Sequence, residues 1–519
     1  MKTFLSRFGS LILFVLSGFD RLRFRGESRL LNHGRGVHSY LYQRRILFKD
    51  YPEHAQALTR QLRDQTEQQA EAEGIPLRYL NSPDLDKEAV ALQLATQQKR
   101  TTGRIAVLSC LESCQTYQRR LTKDQRYDVR QERGRCLHYY HYFLHEYLGL
   151  CYVRVQSWFP FSIRVGLNGR RWLARQLQVR DIPFQQRDNL IAHVQDPTMA
   201  QQLLDDQRRS DWPRLLGELV QPVQPLWSYL HDTARTPYYW MTEQSEWATD
   251  FIFRSAADLA LWYPRWLRHG IETLQCQDVL RFLSKKVPAH GYGSCTGEAK
   301  IDLRTRADGT RLKFWYDTNS LKIYDKAAQS LRIETTINQP KPFKVYRTKE
   351  GAPEGAPKSW QHLRKGVADL DRRAEVSQAA NNRLAESLAS VAEPTPLGQL
   401  LAPLGQPVYR DGRRRARPLN PLTGADGELL RALAEGDYHL NGFRNRDLRP
   451  RLFAQAATDE DCRRQAARIT RQLALLREHG LIIKVQKTHR YQLSAAGRRI
   501  TTALLAAHAS NVAHLTGAI

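Results

Sequence analysis

The most constraining feature of the sequence is a pair of alternating segments around a short turn, NSLKIYDKAAQSLRIETTIN, at residues 319–338. In the first segment Leu321 and Ile323 occupy alternate positions, and in the second Leu331 and Ile333 do the same. Successive side chains of a strand point to opposite faces, so each segment has one apolar face. The pattern therefore predicts an antiparallel hairpin with one side buried.

Matching these apolar faces also predicts which hairpin residues lie opposite each other. Pairing the central isoleucines places Lys322 beside Glu334. It also places Tyr324 beside Arg332, and it separates the two acids. Glu334 then lies on the charged face, and Asp325 lies on the apolar side at the end of its strand. Such a ladder of paired charges is stable as structure alone, and the same face is a candidate chemical site.

Length and charge bound the number of domains and the kind of partner. A chain of 519 residues is too long for a single hydrophobic core. Its 79 Lys and Arg residues against 53 acids give a formal net charge of +26. This surplus predicts a polyanionic partner, since the arginine fork binds two phosphate oxygens at once. DNA is the predicted partner, with RNA as the alternative, and the competing interpretation is a basic protein with solvated arginine-rich faces.

The apolar segments and the cysteines predict where the protein works. No run approaches the roughly 20 apolar residues that a membrane helix needs. The N-terminal run from Leu11 to Leu16 is short for a signal peptide and lacks a cleavage site. Seven scattered cysteines with one close pair, Cys110 and Cys114, predict reduced thiols. We therefore expect a cytoplasmic protein with no membrane partner.

The periodicity of the chain predicts an α+β fold class. Strands are expected at 11–25 and 298–347, and mainly helices at 186–285. Changes in composition then predict three parts: a large mixed α/β domain with an antiparallel sheet at 1–347, a helical connection and basic linker at 348–424, and a winged helix-turn-helix domain at 425–519.

The carboxy-terminal part carries the more specific architectural pattern. Three helices, a two-stranded ribbon and a final helix are predicted, with the third helix capped by Asp459 and ended by Gly480. The run LLREHGLI, the basic ribbon and YQLSAAGRRI resemble MarR-like winged-helix regulators. That resemblance implies DNA binding, and a two-fold homodimer is the default expectation. The alternative is a winged helix used for protein contacts.

Three groups of cations are the candidate DNA contacts of this part. An inward stripe of Ile469, Leu473 and Leu476 turns the arginines of the third helix outward. The candidates are Arg464, Arg468 and Arg471 of the third helix, Lys484, Lys487 and Arg490 of the ribbon, and Arg413, Arg414 and Arg415 of the upstream basic arm.

The hairpin resembles the core of rolling-circle replication initiators of plasmids and filamentous phages. There a tyrosine-acid-lysine strand precedes an arginine-x-glutamate strand, matched here by Tyr324, Asp325 and Lys326 and by LRIE ending at Glu334. The resemblance implies that Glu334 ligates a metal, that Asp325 is a second acid, and that Lys326 or Arg332 contacts phosphate. Mg²⁺ or Mn²⁺ would then activate the scissile phosphate, and a tyrosine, with Tyr324 as the candidate, would attack it.

A second acidic candidate is the segment TEQSEWATD. A helix there would place Glu243, Glu246 and Asp250 on one side. Glu246 and Asp250 are therefore candidate metal ligands in addition to Glu334. The alternative is a solvated helix face paired with Arg254.

Three histidines in an aromatic segment form a further candidate. His138, His141 and His145 would line one side of a helix, whereas on a strand His138 and His141 point to opposite faces. The many aromatic neighbours favour a strand. We therefore interpret these histidines as packing residues in preference to metal ligands.

Two functional hypotheses follow from these features. The leading one is a nucleic-acid-binding protein of a mobile element that acts as a metal-dependent DNA nickase. The other is a non-enzymatic winged-helix transcriptional regulator that needs no cofactor. The chain has no Walker A, GxGxxG, GxSxG or HExxH motif, so other common enzyme classes have no support. Through FDRLRFRG, QSEWATD, NSLKIYDK and LNGFRNRDL it also resembles a bacterial family with no assigned activity.

Overall fold

The architecture is taken from a computed structural model. The structure describes residues 1–229, 238–273, 299–306, 309–316, 318–349, 351–353, 355–389, 391, 395–411, 413–434, 438, 442–485 and 488–510.

One sheet of 11 strands organises the larger part of the chain. In chain order the strands up to residue 337 are β1 Ile12–Glu27, β2 Leu77–Leu80, β3 Gly103–Leu121, β4 Tyr127–His145, β5 Gly149–Gln156, β6 Ile163–Asn168, β7 Phe184–Arg187, β8 Leu190–Val194, β9 Tyr239–Phe253, β10 Ala299–Arg306, β11 Gly309–Tyr316, β12 Asn319–Lys326 and β13 Ser330–Ile337. The order across the sheet is β10-β11-β12-β13-β9-β1-β6-β5-β4-β3-β2, while β7 and β8 form a separate ribbon. All neighbours in the large sheet are antiparallel except β2 and β3. Strands β1 and β9 therefore lie in the middle, between two meanders.

The α-helices with described bounds that accompany this sheet are nine. They are α1 Lys2–Phe8, α2 Gly34–Gln43, α3 Tyr51–Ala72, α4 Lys87–Gln97, α5 Gly169–Val179, α6 Pro197–Gln207, α7 Trp212–Val220, α8 Ala256–Thr273 and α9 Leu370–Ala389. Helices α1, α8 and α9 share one apolar core with β11 to β13, and α2, α3 and α5 to α7 share another with β1 and β4 to β6. Trp247 of β9 is 1% exposed and meets the Phe19 ring edge-on, with centroids 4.9 Å apart. Such a pair contributes about 0.5–1.5 kcal/mol beyond burial.

The predicted hairpin is confirmed in every pairing. Strands β12 and β13 place Ile323 opposite Ile333, Lys322 opposite Glu334 and Tyr324 opposite Arg332. The separation of the two acids is also confirmed. The Asp325 carboxylate lies on the other side of the strand, where its Oδ1 accepts a hydrogen bond of 2.6 Å from the backbone N–H of Thr310.

Other predicted elements are confirmed in part. Residues 11–25 form a single strand, and the described part of 298–347 is strand-rich, as expected. The helical interpretation of 186–285 is wrong at its centre, because Tyr239–Phe253 is β9. A register shift between β1 and β9 makes Glu243 an extra residue and breaks the two-residue alternation that marks a strand. Trp247 and its neighbours pack against α9 as part of a strand, and this packing favours a strand over the helix that the spacing of the acids predicted.

The C-terminal part has its own apolar core. A two-stranded ribbon precedes it, formed by β14 Lys344–Arg347 and β15 Ser359–His362. The elements that follow are α10 Leu397–Leu401, β16 Val408–Arg410, β17 Arg413–Ala416, α11 Gly424–Leu433, α12 Asn445–Leu452, α13 Asp459–Glu478, β18 Ile482–Lys484, β19 Tyr491–Leu493 and α14 Ala495–Ala509. The order of three helices, ribbon and helix is thus present from α11 to α14. The cap of α13 is Thr458, whose side chain accepts from the Asp461 N–H, and not Asp459. Gly480 follows α13 with a φ of +70°, as a helix end favours.

The predicted connection divides between the two cores. Helix α9 packs on β9 and β13, whereas Leu400, Leu404 and Leu419 join the C-terminal core. No described helix combines the length and apolar character needed to cross a bilayer.

Candidate functional site

Three carboxylates meet on one face of the sheet, where β1, β9 and β13 run side by side. One carboxylate oxygen from each of Asp20, Glu246 and Glu334 lies within 4.8 Å of the other two. We call these residues the three-carboxylate centre. Asp20 and Glu334 are buried and Glu246 is half-buried, so solvent reaches the centre at Glu246.

A β-bulge in β1 brings Asp20 into the centre. Phe19 pairs with Trp247 and Arg21 pairs with Glu246, which leaves Asp20 as an extra residue between them. A bulge re-aims the side chain at the inserted position, and bulges are over-represented next to active sites. Asp20 and Arg21 consequently both reach the face that carries Glu246.

The β12–β13 hairpin supplies the surroundings of Glu334. The Lys322 ammonium lies 2.5 Å from Glu334 Oε1, close enough for an ion pair, although that oxygen makes no hydrogen bond of normal geometry. The Tyr324 hydroxyl donates to Glu334 Oε2 at 2.9 Å. Burial raises the pKa of Tyr324 well above its usual value, and the negative charge of Glu334 adds to this. Tyr324 therefore stays protonated until a cation or a base changes its surroundings.

A fully buried arginine joins the centre to a second ion pair. Arg332 Nη1 donates to Asp20 Oδ1 at 2.9 Å, and Arg332 Nη2 donates to Asp250 Oδ2 at 3.0 Å. Arg332 Nε also donates to Asp250 Oδ1. Arg170 Nη2 contacts Asp250 Oδ2 at 2.7 Å from the other side. Both oxygens of Asp250 are thus engaged by arginines.

Asn189, in the turn of the β7–β8 ribbon, covers the buried side of the centre. Its Nδ2 donates to both oxygens of Asp20, at 2.9 and 2.8 Å, and its carbonyl accepts from Arg332 Nη2 at 2.6 Å. Burial alone would raise the pKa of Asp20, but the charges of Arg332 and Arg170 outweigh burial and lower it. Asp20 is therefore a carboxylate across the physiological range.

Glu246 is the electrostatically unsatisfied member of the centre. Burial raises the pKa of Glu246 to about 7, and the nearby charge of Glu334 adds to the rise, while Lys322 opposes it. Two carboxylates this close favour a shared proton or a bound cation. Carboxylate oxygens are the ligands that Mg²⁺, Mn²⁺ and Ca²⁺ prefer. The donor set therefore fits a hard divalent ion.

A basic groove of about 580 Å³ adjoins the centre through Arg21. Its polar lining includes Arg21, Arg23, Lys87, Arg154, Arg164, Tyr140, Tyr152, Glu88 and Glu112. Some of these cations are partly neutralised: Arg164 Nη2 donates to Glu243 Oε1 at 2.6 Å, and Arg154 Nη1 donates to Glu112 Oε2 at 3.2 Å. Arg21 and Arg23 are exposed. The groove places the exposed Arg21 and Arg23 beside the carboxylates, and guanidinium groups of this kind can bind phosphate.

The structure brings only some of the predicted site residues together. Glu334, Tyr324 and Glu246 meet at the centre, but Asp325 lies on the opposite face. The predicted helix of acids is wrong, because the segment is β9. Asp250, the other predicted metal ligand of this segment, is not one of the three carboxylates of the centre, and two arginines hold its oxygens.

Sequence reasoning missed Asp20 as a site residue. The signal was present in FDRLRF, where Phe19 and Leu22 are three positions apart while Leu22 and Phe24 are two apart. That slip in the alternation marks the bulge that turns Asp20 toward the centre.

The strand expected at the three histidines is confirmed. Residues Tyr127–His145 form β4, and both His138 and His141 are fully buried. His141 Nδ1 lies 3.1 Å from Arg104 Nη1.

The candidate DNA contacts of the C-terminal part divide into three groups. The exposed ones are Arg464, Arg468, Arg471, Lys484, Arg413 and Arg415, and the predicted stripe of Ile469, Leu473 and Leu476 is buried. Arg490 is half-buried and its Nη1 donates to the Gly442 carbonyl at 2.9 Å. Lys487 and the side chain of Arg414 lie outside the described residues.

Comparisons with known proteins give no match: no protein-family model, no curated protein and no solved structure matches this chain. The function is therefore argued from the geometry of the centre, the groove and the C-terminal part.

Proposed function

We propose that this is a nucleic-acid-binding protein of a mobile element that nicks DNA at the three-carboxylate centre with Mg²⁺ or Mn²⁺. The observation that carries the proposal is the convergence of Asp20, Glu246 and Glu334, from three neighbouring strands, to within 4.8 Å of one another. Arg332 offsets the charge of Asp20 and Lys322 that of Glu334, so Glu246 is the member whose charge a bound cation would offset.

Each part of the site has a role in this proposal. A divalent ion at the centre would polarise a phosphoryl oxygen and offset the charge that develops on it. Arg21 and Arg23 of the groove hold the flanking phosphates. Glu334 Oε2 accepts a hydrogen bond from the Tyr324 hydroxyl, so it is placed to take the hydroxyl proton. The tyrosine oxygen then bonds to phosphorus, the bond from phosphorus to the 3′-oxygen of the preceding nucleotide breaks, and that oxygen leaves as a hydroxyl after taking a proton from the solvent.

The C-terminal part is proposed to be a winged helix that binds duplex DNA. Its support is the order of elements from α11 to α14, with exposed Arg464, Arg468 and Arg471 on the third helix and Lys484 on the ribbon. A helix of this kind enters the major groove while the ribbon contacts phosphates. This binding would deliver the chain to a double-stranded origin, beside which the sheet acts on a single strand.

The test is cleavage of labelled single-stranded and supercoiled DNA with Mn²⁺, Mg²⁺ or EDTA. We expect metal-dependent nicking with a covalent protein–DNA adduct, and its loss in Glu334→Gln and Asp20→Asn. Tyr324→Phe should abolish the adduct. The matched control is Glu218→Gln, an exposed α7 acid whose Oε1 pairs with Arg214 Nε at 2.8 Å. Absence of cleavage across varied sequences, with duplex binding intact, refutes the nickase.

A second candidate function is a DNA-binding regulator without catalysis. The observation that favours it is the Lys322 ammonium 2.5 Å from Glu334, because this ion pair neutralises one carboxylate without a metal. In that case a homodimer binds a two-fold operator through the winged helices, and Glu334→Gln leaves operator binding and every DNA strand unchanged.

A further inference from the structure

A second group of metal-ligating side chains lies on the same sheet face, away from the three-carboxylate centre. Cys114 of β3 and Cys136 and His138 of β4 have ligand atoms within 4.8 Å of one another. The two Sγ atoms are 3.0 Å apart. None of these residues takes part in the proposed nicking reaction.

The group lies where a two-stranded arm leaves the sheet. Strand β5 pairs with β4 only from His138 to His145, so residues 127–137 of β4 have β3 as their strand partner. Cys136 and His138 are two residues apart on β4 and therefore share a face. Cys114 reaches them diagonally from β3, where its own cross-strand neighbour is Gly134. The position suits a brace between the arm and the sheet.

His138 is the observation that points to a ligand. It is fully buried, and neither ring nitrogen makes a hydrogen bond of normal geometry to any described residue, although the Cys136 carbonyl lies nearby. A buried polar group without a partner is costly and rare in native proteins. Burial lowers the pKa of His138 to about 3, with Arg154 adding to this. The ring is therefore neutral and keeps a lone pair for a metal.

The cysteines complement this imidazole. The contact between the two thiols lowers the pKa of Cys114 against the effect of burial, and together with burial it raises the pKa of Cys136. The neighbouring acid, Glu112, is already occupied: its Oε1 accepts from the Tyr140 hydroxyl at 2.7 Å and its Oε2 from Arg154. Sulfur and nitrogen donors select a borderline-soft ion and not the hard ion expected at the carboxylates.

We propose that Cys114, Cys136 and His138 form a zinc site that braces the β3–β4 arm, with a water molecule as the fourth ligand at the half-buried Cys114. Tetrahedral Zn²⁺ with bonds of about 2.3 Å to sulfur separates its two sulfurs by about 3.8 Å, which a small rotation of either thiol provides. Binding releases the two thiol protons, so the ion and two thiolates are neutral together. A disulfide would leave the buried His138 without a partner.

Cobalt substitution tests the proposal on the full-length reduced protein. After metal removal, one equivalent of Co²⁺ should give thiolate-to-cobalt charge-transfer absorption and the visible bands of a tetrahedral ion, and Zn²⁺ should displace both. Carboxylates give no such absorption, so the readout is independent of the three-carboxylate centre. Cys136→Ser and His138→Gln should weaken Co²⁺ binding by more than the roughly 10–100-fold cost of losing an outer partner.

Cys114→Ser is a second variant, chosen because its half-buried position tolerates serine. Cys462→Ser is the matched control, since Cys462 is a half-buried thiol of α13 that contacts Arg449 in the C-terminal part. The proposal is overturned if the reduced protein shows no charge-transfer band. It is also overturned if the band survives in both Cys114→Ser and Cys136→Ser, or if the protein from reducing cells carries a Cys114–Cys136 disulfide and no zinc.

Discussion

Glu246 makes the strongest quantitative prediction, because its charge opposes folding unless a cation is bound. The pKa of Glu246 rises from 4.5 to about 7 in the folded protein. A rise of that size corresponds to about 3 kcal/mol, which solvent access at the half-buried Glu246 reduces to about 2 kcal/mol. Burial of Glu246 in the sheet is the larger cause of this rise in pKa, and the nearby charge of Glu334 adds to it.

The sign follows from proton linkage. The folded protein binds the Glu246 proton more tightly than the unfolded chain does, so this group stabilises the fold fully below pH 4.5. That contribution is lost as the pH rises through about 7. Without metal, the region around β9 should therefore lose about 2 kcal/mol between pH 4.5 and pH 8 from this group. Glu246→Gln should remove the slope and be the more stable protein at pH 8.

Above pH 7, a bound divalent ion should offset the loss of folding stability that the ionised Glu246 causes. Mn²⁺ should stabilise wild type at pH 8 and bind about 10-fold more weakly at pH 6, where it must displace a proton. Hydrogen exchange of the β9 and β13 amides measures the local stability, and calorimetry in two buffers of different ionisation enthalpy measures proton release. Glu218→Gln is the control. Equal pH slopes in wild type and Glu246→Gln, or equal stabilisation of both by Mn²⁺, would refute the reasoning.

Three further predictions concern other parts of the molecule. Arg332→Met leaves the buried Asp20 without its ion-pair partner and Asp250 with Arg170 alone, and it should cost about 3–5 kcal/mol, measured by urea unfolding, with Arg372→Met on the exposed side of α9 as the control. Asp325→Asn should keep nicking activity because its carboxylate faces away from the centre, and an inactive but folded variant would contradict this. Arg468→Ala and Lys484→Ala should each lower duplex affinity and reduce the salt slope by about one, measured by fluorescence anisotropy at several salt concentrations; an unchanged slope would argue against phosphate contact.

Local patterns predicted the pieces of this fold that depend on near neighbours in the chain. The hairpin register follows from the alternation of Leu321, Ile323, Leu331 and Ile333, which are separated by a short turn, and the structure reproduces it. The stripe on α13 follows in the same way from helical spacing. The error at β9 arose because one bulge, at Glu243, disrupts alternation and leaves a helical spacing of acids behind.

The candidate site depends on contacts between distant parts of the chain, which local sequence patterns do not predict. By itself the sequence determined that Glu334 lies beside Lys322 on a charged strand face, that Asp325 does not, and that the chain carries a net charge of +26. Only the tertiary structure decided that Glu334 meets Glu246 and Asp20, since these residues converge through the order β13-β9-β1. The physical reason is that side-chain periodicity acts over a few residues, whereas strand order is set by the packing of whole cores. The same packing places two arginines against Asp250. It also buries Glu246 beside Glu334, which raises the pKa of Glu246.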